Sequence, residues 1–165
     1  MKIVQPTQNH LGDKFPQRIE TNPHIAHKEM RIVRNEILTS SREYILMCES
    51  NVEEQEQKVF QLKQKIAGLN EQRDVAKDEV EEIKLNTFVL IRKQKIAPHL
   101  EQLTSLENEI QKQEAMLNNE EKILQESRRQ VILAQNTHDA NVQYFHRMEQ
   151  KIIAKKMEIN YETRH

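Results

Sequence analysis

Between Val89 and Ile159 one column of side chains repeats every seven residues: Val89, Ile96, Leu103, Ile110, Leu117, Leu124, Val131, His138, Phe145, Ile152 and Ile159. Every member except His138 is apolar, in a chain that is only 36% hydrophobic. A strict seven-residue column keeps one narrow seam of an α-helix against a partner, which is the pattern of a left-handed coiled coil. A helix of this length would run roughly 100 Å at about 1.5 Å per residue, so a rod is expected rather than a pocket. Within the column, Leu103, Ile110, Leu117, Leu124, Val131, Phe145 and Ile152 are the expected seam. His138 is the polar member, and a polar group at such a position fixes register at some cost in stability.

A second column precedes the first: Leu38, Ile45, Val52, Val59, Ile66, Arg73 and Val80, joined three residues on by Leu62, Leu69, Ala76 and Ile83. Two such columns in one chain predict an all-α fold, a long antiparallel coiled-coil hairpin over residues 23–165. The first helix is expected to begin at Asn22-Pro23, where Asn22 can cap the free N–H groups and Pro23 presets φ at the first helical position. Residues 1–22 carry Pro6, Gly12 and Pro16 with no sustained period, and read as an irregular N-terminal arm.

Three places could reverse the chain. Asp78-Glu79-Val80-Glu81 matches a capping box, Lys84-Leu85-Asn86-Thr87 offers a break, and Ala97-Pro98 could open or kink a helix. A tip at about 77–87 is preferred, because the main column keeps its phase through Pro98 and makes that proline a kink. Gly68 lies inside the earlier seam, where close approach of the two helices is the simplest use of a glycine. Beyond Pro98 the second column of the seam is poor. Gln113, Glu120, Ser127, Asn141 and Lys155 occupy it, so this helix is expected to want a further surface toward its C-terminal end.

Charge and composition narrow the function. The 165 residues carry 25 Lys+Arg against 26 Asp+Glu, which removes the general electrostatic case for nucleic-acid binding. Charge is segregated nonetheless: from Glu49 to Glu82 there are ten acids against five bases, whereas Arg92 to Lys95 and the turns bearing Arg147, Lys151, Lys155 and Lys156 lean basic. Cys48 is the single cysteine, so no intrachain disulfide or thiolate metal cluster forms, and a reducing compartment is expected. No run approaches the ~20 apolar residues that span a bilayer, and Met1 to Pro6 offers no apolar core of signal-peptide length, so no signal peptide is expected. A soluble, cytoplasmic protein is expected.

Catalysis has no residues to carry it: there is no Gly-rich phosphate loop and no nucleophile–base arrangement that the period brings together. No cofactor or metal site is expected, since His24 and His27 share a helical face without a full ligand set beside them. Tyr144, Phe145 and Met148 form the densest aromatic patch, which reads either as core filling or as a partner's anchor. Phe88, Val89, Leu90 and Ile91 are four consecutive apolar residues that one seam cannot bury together, so part of the group is expected to be a docking patch.

Ile66-Ala67-Gly68-Leu69 with Asp74 following, Val89-Leu90-Ile91-Arg92-Lys93-Gln94, Leu106-Glu107-Asn108-Glu109-Ile110 and the stretch from Asn141 to Glu158 resemble the central-stalk proteins of type III secretion systems. These are called FliJ in flagella and YscO or InvI-like in injectisomes, and the likeness is to the InvI-like branch over roughly Ile66 to Glu162. The resemblance implies a non-enzymatic shaft, peripheral to a membrane-bound assembly, that couples the hexameric secretion ATPase to the export gate and escorts export chaperones. It implies gate contacts near the tip at Phe88, Val89, Arg92 and Ile96. ATPase contacts would lie at Arg147, Met148, Lys151, Lys155 and Lys156. The isolated chain would then be a monomeric hairpin. The alternative is a structural coiled-coil component of a eukaryotic axonemal or cytoskeletal assembly, which would dimerise through the whole column.

Overall fold

The structure, a computed structural model, describes residues 10–86 and 89–164. They form three helices, α1 (Phe15–Thr21), α2 (Pro23–Asn86) and α3 (Val89–Arg164). The described residues contain no strand. Helices α2 and α3 pack antiparallel as a hairpin: early residues of α2 meet late residues of α3, as in Ser41 with His138, and late meet early, as in Glu79 with His99.

The start of α2 follows the capping chemistry of its sequence. The side-chain oxygen of Asn22 accepts from the Ile25 N–H at 3.3 Å and its carbonyl accepts from the Ala26 N–H at 3.1 Å, with Pro23 at the first helical position. Of the three possible reversal points, Asp78 and Pro98 lie inside α2 and α3, and α2 ends at the Lys84–Thr87 break. The capping box at Asp78 goes unused because continuing the helix keeps Val80 buried and Ile83 half-buried in the seam. Residues 87 and 88 lie outside the described residues. α3 runs through Pro98, although proline brings no N–H to the helical ladder.

The chain divides into two compact units, one of residues 1–51 and 127–165 and the other of residues 52–126. In the second unit Val59, Ile66, Ala76 and Val80 of α2 and Ile96, Ile110 and Leu124 of α3 are buried. Gln55 and Gln113 are buried with them. Gln55 donates to the carbonyl of Glu120 at 3.1 Å and also to the Glu120 carboxylate. Gly68 is not a point of close helix approach, since a Cβ built there would meet nothing within 4 Å.

In the terminal unit, Phe15 and Ile19 of α1 join Ala26 and Met30 of α2 and Phe145 and Ile152 of α3 in one core. Helix α1 lies within the arm expected to be irregular. Gly12, at φ +87°, makes the left-handed turn that leads into it, and its carbonyl accepts from the Phe15 N–H at 3.3 Å. Phe15 and Ile19, four residues apart, then fall on one face.

Candidate partner-binding ends of the hairpin

The terminal unit gathers most of the charged chemistry that the sequence points to. Lys156 has only donors, so its ammonium at 2.6 Å makes Nδ1 of His27 an acceptor. The proton then sits on Nε2, which donates to Glu149 at 3.3 Å, while Arg34 reaches the other Glu149 oxygen at 3.4 Å. Both ring nitrogens of His27 are thereby used, and His24 is exposed. Among the described residues no group of three or more His, Cys, Asp or Glu side chains could hold a metal ion.

Lys155 pairs with Glu20 of α1 at 2.8 Å and with Glu158 at 3.5 Å. The hydrogen bond to Glu20 holds the ammonium above its ordinary 10.5, against desolvation that pushes it down and with the charges of both acids adding to the rise. Tyr144 and Phe145 meet edge to face at 5.1 Å, and the His10 ring stacks on Phe145 at 6.1 Å. Burial raises the Tyr144 phenol above its ordinary 10.0. The aromatic patch is therefore core: Phe145 is 1% exposed, and Tyr144 and Met148 pack against the same cluster.

No protein-family model, curated protein or solved structure matches this chain.

Of the five basic-end residues that the stalk resemblance singles out, Arg147 and Lys151 are exposed. Met148 packs against the core, Lys155 is held by Glu20, and Lys156 by His27. The residues that sequence reasoning missed are those of α1. Pro16, Ile19 and Glu20 form one wall of a groove whose other wall is Met148, Lys151 and Lys155 of α3. A seven-residue segment with Pro16 inside it and Pro23 just after it carries no period that could have announced it.

At the other end, Phe88 lies outside the described residues, and Val89 is the first residue of α3. Arg92 is half-buried and Ile96 is buried as a seam residue. Leu85 and Ile91 flank the reversal with 82% and 48% of their surfaces exposed, so apolar surface is on offer there. No helix of the described residues is long and apolar enough to cross a membrane.

Proposed function

We propose that this chain is a non-enzymatic stalk protein of a type III secretion export apparatus, coupling a hexameric secretion ATPase to the export gate. The observation that carries the reading is an antiparallel hairpin whose N- and C-terminal segments belong to one unit, together with the residues that resemble the stalk family from Ile66 onward. The terminal unit supplies exposed bases at Arg147 and Lys151 for an acidic ring or pore. The reversal supplies exposed Ile91 and Leu85 for an apolar contact at the gate. Export chaperones are further protein partners on this reading.

The test uses the two bases whose side chains are exposed. Reversing Lys155 or Lys156 would place a carboxylate against Glu20 and Glu158, or beside the His27–Glu149 pair, and so would disturb the terminal unit itself. Arg147→Glu with Lys151→Glu avoids this. The double variant is expected to bind the purified ATPase hexamer about tenfold more weakly at low salt, through a slower association rate that converges on wild type as salt rises. Ile91→Ala is expected to leave ATPase binding intact and to reduce export. If both variants match wild type in binding and in secretion, the stalk reading fails and the structural coiled-coil alternative replaces it.

A further inference from the structure

The furrow of the hairpin that seats α1 extends beyond α1. His10 stands beside Tyr144 and Phe145, with ring centroids 6.2 and 6.1 Å away, and Glu20 meets Lys155. The chain from His10 to Glu20 therefore runs alongside α3 in the same direction, and followed backward it heads toward Leu133. On α2 the residues of the α1 core, Ala26, Met30, Val33 and Ile37, stand three or four apart. Continued at that spacing, the same helical edge carries Ser40, Tyr44 and Met47, then turns polar at Asn51, Glu54 and Lys58. The matching edge of α3 runs back from Tyr144 through Ala140 and Thr137 to Leu133, and turns polar at Gln130 and Glu126. The Ser41–His138 bond holds these two edges level.

Helix α1 and Leu11 pack into the end of the furrow that holds Ala26, Met30 and Tyr144. Further along, Ser40, Tyr44, Thr137 and Ala140 are half-buried, and Met47 and Leu133 are 43% and 45% exposed. The segment placed to cover them is the one that precedes His10. Among residues 1–9, Ile3 and Val4 are adjacent apolar residues, and Pro6 disfavours a helix at Gln5. An extended chain gains about 3.3 Å per residue, so the step from His10 back to Ile3 spans roughly 23 Å. Leu133 lies roughly 17 Å from Tyr144 along α3, at about 1.5 Å per residue. The reach is sufficient. Successive side chains of an extended segment point to opposite sides, so Ile3 and Val4 would each meet one wall of the furrow. A second copy would have to enter a furrow whose other end α1 already fills.

We infer that the furrow beyond α1 is the docking site of the chain's own N-terminal arm, with Ile3 and Val4 covering Met47 of α2 and Leu133 of α3. The contact continues the interface that α1 makes with the same two edges. The inference is independent of the stalk reading, since it concerns how the terminal unit closes whichever partner it meets.

Met47 and Met116 have nearly equal exposure, 43% and 45%, and Met116 belongs to the other unit, which makes it an internal standard. In the full chain treated with hydrogen peroxide, mass spectrometry is expected to show Met47 oxidised to the sulfoxide about fivefold more slowly than Met116, because the docked arm excludes the oxidant. With Ile3→Ser and Val4→Ser the two rates are expected to come within about twofold of each other, at unchanged helicity. As a second measurement, Val4→Cys with Leu133→Cys, in a Cys48→Ala background, is expected to form an intrachain disulfide under mild oxidant. Val4→Cys with Ile123→Cys is expected not to. Equal oxidation of Met47 and Met116 in wild type would overturn the inference, as would failure of the Val4–Leu133 cross-link in a variant that keeps its helicity. Protection of Met47 that survives the serine substitutions and rises with protein concentration would assign the furrow to a second copy and overturn the arm as its occupant.

Discussion

Asn141 is fully buried in α3, and neither atom of its amide has a hydrogen-bond partner among the described residues. A buried, unpaired polar group costs about 1–3 kcal/mol, and an apolar residue of similar volume would remove that cost. Asn141→Leu is therefore expected to raise the midpoint of thermal unfolding, followed by circular dichroism, by roughly 2–4 °C for each kcal/mol recovered. A lower midpoint would mean that the amide supports the fold. Its position explains what was and was not legible. From Ile96 to Ile159 every member of the main column is buried or half-buried, because a seven-residue period is a property of one helix and can be read without its partner. The polar column three residues later looked like a missing half-seam, yet Gln113 and Asn141 are buried in it and Glu120 is bonded to Gln55. The partner of Glu120 lies 65 residues away in sequence, and that of His138 lies 97 away at Ser41, within 2.5 Å. The sequence marks His138 as a polar register position; no local pattern marks Ser41 as what it meets.

Whole elements were legible in proportion to their length. The two long helices declare themselves through their columns, and the start of α2 through Asn22-Pro23. Helix α1 does not, because two anchors over seven residues make no period and two of the surfaces they bury against, Phe145 and Ile152, are distant in the chain. The reversal was offered at three places, and burial of Val80 decided against the capping box that precedes it. Gly68 marks a different limit: an isolated glycine within a helix signals some exception to ordinary packing, but not its kind. Its φ is not positive, and the space a Cβ would enter is open. Alanine there should recover helix propensity without a clash, stabilising the fold by about 1 kcal/mol. Gly68→Ala is accordingly expected to raise the denaturant midpoint with an unchanged slope. A lower midpoint would show that residue 68 must leave helical geometry or admit a closer neighbour.

At the scale of the whole molecule, the two functional readings differ in what covers the α2 seam. A parallel dimer through the column from Leu38 to Val80 would need Val59, Ile66 and Val80 for a second copy, and these are buried already within the hairpin. The hairpin also joins its helices through polar pairs that a parallel dimer would have to give up. Ser41 bonds His138, and Gln55 bonds Glu120; breaking such pairs leaves buried groups without partners, at about 1–3 kcal/mol for each group so stranded. The net charge of −1 provides almost no repulsion to keep copies apart, so the oligomeric state rests on whether the seam is satisfied within one chain. Light scattering of the purified protein is expected to give the 19.7 kDa of a single chain across a wide range of concentration. A doubled mass, together with disulfide cross-links formed under an added oxidant between two copies of a Val59→Cys or of a Val80→Cys variant, would mean that α2 had left α3 for its own equivalent. The stalk reading would then fall with the monomeric hairpin on which it depends, and a filament component would be the better account of the same two columns.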